Sequence, residues 1–170
     1  MISTIEVAEQ GIPLAYTFED LMRYHGPGSP GGVAHAFKVM ERVLPLLEPA
    51  GLLERREIVV QTAFAGPGAR DAFEMVTRAV TEDRYVVDDA LVRSELGPTR
   101  ERFVFQVGYR GRSVTAILRE GYVTADFLAL VRQEERTAEE ESHLAVLKQE
   151  MANRLLGSPA AAVYDVDGEA

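Results

Sequence analysis

The stretch that most constrains this chain is residues 17–32, TFEDLMRYHGPGSPGG. It opens as a helix: Thr17 can cap the first turn and Asp20 stands where a capping box places its acid. Phe18, Leu21 and Met22 then form an apolar stripe. The pattern breaks at Gly26-Pro27-Gly28-Ser29-Pro30-Gly31-Gly32. Glycine relaxes the backbone and proline removes a donor, so an irregular loop is expected across 26–32, with a second helix from Val33. A chain interrupted in this way must assemble from short elements around the loop. Bare backbone also admits small groups or ions, and His25 and His35 flank the run. A functional site is therefore expected here.

Residues 1–16 read as a loose start with a turn at Gly11 and Pro13. The helix at 33–47 carries Val33, Phe37, Met40, Leu44 and Leu47, and Pro45 should kink or end it. Residues 57–63 read as a buried strand, Gly66-Pro67-Gly68 as a tight turn, 69–80 as a helix and 85–87 as a strand. A loop spans 88–99. Alternation over 102–109 and 112–119, with Arg110-Gly111 between, marks a hairpin. Two C-terminal helices follow, at 122–135 and after a second capping box at Thr137 and Glu140. Leu144, Leu147, Met151 and Leu155 form the stripe of the second, and Gly157 and Pro159 end it. An extended segment at 162–166 and a frayed tail at 167–170 complete one domain, 1–170. Strands this few and this clustered imply an α+β fold with helices packed on a mixed sheet.

The chain has 170 residues, 27 acidic and 18 basic, for a formal charge of −9. That balance argues against the clustered basic face of a nucleic-acid binder, and no nucleic-acid partner is expected. Arg100, Arg102, Arg110, Arg112 and Arg119 are interleaved with apolar residues, the pattern of a solvated strand edge or of a phosphate contact. No cysteine occurs, which removes disulfides, thiolate nucleophiles and thiolate metal ligands. No signal peptide and no spanning apolar run is visible, so no membrane partner is expected and the expected location is cytoplasmic.

His25-Gly26-Pro27-Gly28-Ser29-Pro30-Gly31, with Asp71-Ala72 opening a later helix, resembles the FmdE-like domain family, named for a component of formylmethanofuran dehydrogenase. There a helix ends in His-Gly-His-x-Cys-Pro-Gly. His25, Gly26, Pro30 and Gly31 match in place, while Pro27 and Ser29 stand where the family has His and Cys. The hairpin at 103–119 and the ending LLGSPAAAVYDV are also similar, so the resemblance covers about 15–166. It implies a layered domain of core order α-β-α-β-β-β and a site for zinc or a similar divalent metal. The family's cysteines and zinc-ribbon extension are missing here.

Of the family's metal donors His25 is kept; His35 is added ten residues on, and Asp71 could supply a hard oxygen donor, while a catalytic metal usually takes three protein ligands. Both histidines have packing roles as alternatives. Ser29 could be a nucleophile with His25 as base, or could simply hydrogen-bond its own loop. His143, in a charged helix, reads as a surface residue. The sequence reading is thus an accessory domain that binds a small molecule or ion through His25, Gly26, Gly28, Ser29, Gly31 and Asp71. It leans away from independent catalysis. The alternatives are a hydrolytic or metal-assisted enzyme using His25 as acid or base, and an assembly component with a degenerate site. The stripe of the last helix favours packing within the chain, with a homodimer through the C-terminal helices as the second expectation.

Overall fold

The computed structural model describes residues 2–167. Its first element corrects the expectation of a loose start. Strands β1 (Thr4–Glu9) and β2 (Ile12–Thr17) form an antiparallel hairpin around Gln10 and Gly11, both at positive φ. The Glu54 carboxylate accepts from the N–H groups of Gln10 and Gly11 at 2.9 and 2.7 Å and pins the turn. Pro13 is tolerated because this sheet has two strands only, so β2 has a free edge.

Helix α1 (Phe18–His25) starts on the expected capping box between Thr17 and Asp20 and ends at Gly26, whose φ of 91° an L side chain adopts with strain. Helix α2 (Pro30–Leu47) then begins three residues before Val33. Pro30, Gly31 and Gly32 are thus its first turn and not loop, a second correction. The reason is partly local: Ser29 stands at the N-cap and Pro30 at the first helical position, where the missing N–H costs nothing. Pro45 sits inside the last turn without ending the helix.

A three-residue turn of 3-10 helix at Arg55–Glu57 leads into β3 (Val59–Thr62), shorter than expected and alternating in burial. Helix α3 (Pro67–Thr77) again begins at a proline, with Arg78 in the left-handed conformation closing it. Arg55 and Arg84 donate to the carbonyls of Val76 and Thr77, each at 2.9 Å, satisfying that end. After β4 (Tyr85–Val87), strands β5 (Val104–Tyr109) and β6 (Arg112–Leu118) make the expected hairpin. Helix α4 (Ala125–Val131) is shorter than expected, α5 (Ala138–Leu156) starts on the Thr137–Glu140 capping box, and α6 (Ala160–Val163) feeds β7 (Tyr164–Asp167). Asp167 belongs to that strand, whereas 168–170 lie outside the described residues.

The main sheet has the order β4-β3-β5-β6-β7, with β3 and β4 parallel and the other pairs antiparallel. Its helix-facing side supplies Val60, Phe105, Val107, Ala116 and Leu118 to the core, and α2 crosses it at the centre. Helices α3 and α5 flank α2. The domain is α+β.

Candidate functional site

The Gly/Pro run splits into two neighbourhoods. At its start, His25 Nδ1 lies 2.8 Å from Asp71 Oδ2, a link across 46 residues between the end of α1 and the first turns of α3. A carboxylate only accepts, so Nδ1 carries the proton and neutral His25 has its lone pair on Nε2. That nitrogen is buried with no partner among the described residues, and the side chain is only 8% exposed. An unsatisfied buried polar atom of this kind costs about 1–3 kcal/mol. Gly26 makes the turn beside the pair, and Gly28 O accepts from Lys148 Nζ of α5 at 3.0 Å.

At its end, the run forms one wall of a cavity of about 400 Å³. Ser29, Gly31 and Gly32 line this wall, and Gly66, Pro67 and Gly68 line the adjoining one. The remaining lining comes from Phe64, Phe103 and Met151 and from Phe127, Leu128 and Val131 of α4. His35, Ala65, Pro98, Arg102, Arg132 and Lys148 complete the lining. His25, Gly26 and Asp71 are not part of it.

The glycines at this wall serve helix contact. A Cβ on Gly32 would stand 3.2 Å from Ala69 N, and one on Gly68 would stand 2.6 Å from Ser29 O and 2.9 Å from Val33 N. Helices α2 and α3 therefore meet backbone to backbone at their starts. Neither start has a side-chain cap or an acidic residue in its first turn. By contrast α1, α4 and α5 are each capped by a threonine and carry first-turn acids. Ser29 makes no capping hydrogen bond through its side chain, and no contact links it to His25 as nucleophile to base.

His35 belongs to the inner wall. Its ring is fully buried and stacks on Phe103 at 4.4 Å between centroids. Nδ1 shares a hydrogen bond with the Tyr164 hydroxyl at 2.7 Å, and Nε2 lies 3.3 Å from Met151 Sδ. Burial pulls its pKa down to about 3, so the ring is neutral, and the same burial raises that of Tyr164. The expected convergence of His25, His35 and Asp71 is therefore not formed. Among the described residues no group of three or more His, Asp or Glu side chains could hold a metal ion.

The arginines of the β5–β6 region make local contacts. Arg100 donates to Leu118 O, Arg110 forms a two-pronged contact with Glu57, Arg112 donates to Leu47 O, and Arg119 donates to Ala161 O. His143 is exposed. On α5, Leu144, Met151 and Leu155 are buried and Leu147 is half-buried. No helix among the described residues is long and apolar enough to cross a membrane. No protein-family model matches the sequence, and comparison with curated proteins gave no match.

Proposed function

We propose that this protein is a small-ligand-binding domain whose site is the cavity between the starts of α2 and α3 and the helices α4 and α5. The observation that carries this reading is the cavity itself. Its volume of about 400 Å³ falls within the roughly 300–1,000 Å³ typical of small-molecule sites, with apolar walls and few polar groups. Affiliation with the FmdE-like family is part of the proposal and rests on His25, Gly26, Pro30, Gly31, Asp71 and Ala72. A screen of apolar and amphipathic small molecules by thermal shift, repeated on Phe127→Asp, tests the site. Ligands that stabilise the wild type and lose that effect in the variant support it. Unchanged stabilisation in the variant moves the site elsewhere.

One observation favours a second reading. The His25–Asp71 pair, with its bare Nε2, has the form of an oriented acid–base group or of a single metal ligand. Metal content of the untagged protein, compared with His25→Ala, separates that reading from the first, as does a broad hydrolase screen. A homodimer through the outer face of α5, where Val146 is exposed, is a separate proposal. Val146→Glu should halve the mass seen by light scattering, and an unchanged mass rejects it.

A further inference from the structure

The charge of the cavity mouth constrains its ligand, given the reading of the cavity as a small-molecule site. With 27 acidic and 18 basic residues in the chain, an arbitrary patch of this surface holds more carboxylates than cations. The cavity reverses that balance: its lining includes Arg102, Arg132 and Lys148 and, among the described residues, no Asp or Glu. Most arginines elsewhere are engaged by neighbours, as Arg56 is by Glu9 and Glu82, and Arg110 by Glu57. At the mouth, Arg102 is paired with Asp89 at 3.1 Å, but Arg132 and Lys148 have no carboxylate partner among the described residues. The interior has the opposite character, built from Phe64, Phe103, Phe127 and a neutral histidine.

A complementary ligand carries negative charge at one end and an apolar body at the other. We propose that the cavity binds a small organic anion, a carboxylate or phosphate monoester bearing an apolar chain or ring. The anion sits at Arg132 and Lys148 and the apolar part lies among Phe64, Phe103 and Phe127. The uncapped starts of α2 and α3, with no acidic side chain in their first turns, add to the same sign.

Calorimetric titration of the full chain with octanoate, octyl phosphate, octanol and octylamine tests this. Both anions should bind at least about tenfold more tightly than octanol, and octylamine more weakly still. Added salt should weaken octanoate and leave octanol unchanged, a check that needs no variant. In R132E/K148E, octanoate should fall to the octanol level or below it while octanol binding persists, which also reports an intact cavity. The ratio of octanoate to octyl phosphate tells which head group the mouth prefers. Equal binding of octanol and octanoate would overturn the charge inference and leave the cavity reading standing. No binding by any of the four probes would remove the cavity reading itself. Tight anion binding that survives R132E/K148E would place the anion elsewhere and equally overturn the inference.

Discussion

His25 and His35 flank the same glycine- and proline-rich run, yet their surroundings differ in nearly every respect. His25 is the last residue of α1; it keeps a carboxylate partner and leaves Nε2 bare. His35 lies in the second turn of α2; it has no charged partner and both of its nitrogens are engaged. Helix phase makes the difference. A residue at a helix exit can turn toward the neighbouring helix start, where Asp71 waits, whereas a residue on the core face of α2 is carried into the aromatic layer. Nearness to the loop in sequence decides neither outcome. One histidine has polarity without a cavity, and the other has a cavity without charge.

The largest effect that could break this contrast is on pH. The folded pKa of His35, about 3, lies below the ordinary 6.5, so between these values the unfolded chain binds the additional proton. His35 therefore contributes nothing to pH dependence above about 6.5. Below it stability is lost as pH falls, by about 1.4 kcal/mol per unit, until the folded ring itself titrates. Urea unfolding at about pH 7 and pH 5.5 should show this slope in the wild type and lose it in His35→Phe. The interval is chosen because Asp20, Glu57 and Glu82, whose pKa values are lowered, add their own acid dependence only below about pH 5. A slope that survives the substitution assigns the proton to another group.

Next in size is the helix crossing. Gly68→Val should cost about 1–3 kcal/mol, because its Cβ meets the backbone atoms Ser29 O and Val33 N and these cannot swing aside. Gly28→Ala should leave stability nearly unchanged, since nothing lies within 4 Å of its added carbon and its φ is ordinary. Equal effects at the two glycines would mean that α2 and α3 do not meet backbone to backbone at Gly68. Tyr164→Phe should cost about 1–2 kcal/mol by stripping the partner from His35 Nδ1, making that ring resemble His25 with one nitrogen bare. Of the substitutions expected to destabilise, the mildest is Asp71→Asn, about 1 kcal/mol in urea unfolding, since the amide still offers an acceptor to Nδ1. Its affinity for a cavity probe should match the wild type, and a changed affinity would join the two neighbourhoods into one site.

The parts of the fold legible in sequence are those with local causes. Thr17–Asp20 and Thr137–Glu140 set helix starts, and Arg110-Gly111, with φ of 48° and 80°, turns the β5–β6 hairpin. Gly31 and Gly32 read as helix breakers and are helical. The intrinsic cost of about 1 kcal/mol per glycine is set against close packing: a Cβ on Gly32 would stand 3.2 Å from Ala69 N of α3, and one on Gly31 would stand 2.7 Å from Met151 Cε of α5. The serine before Pro30 was the available signal. The first hairpin was hidden by Pro13, which reads as a strand breaker until the sheet is known to end there. Of the expected site residues, His25 and Asp71 do meet, and Ser29 and Gly31 do line a cavity, but these are different places. The cavity draws its lining from five separated stretches of chain between residues 29 and 151, so no local pattern announces it. A cation just past the apolar stripe of α4 was its faintest trace.

That helix has one more consequence. Of its seven residues none is fully buried, and it packs chiefly on α5. Segments held by so few interior contacts open at a small fraction of the global unfolding free energy. The wall formed by Phe127, Leu128 and Val131 is then the part of the cavity that yields first. Entry and departure of a bound molecule would be timed by the fraying of α4, and its backbone amides would exchange with deuterium more slowly when the cavity is full.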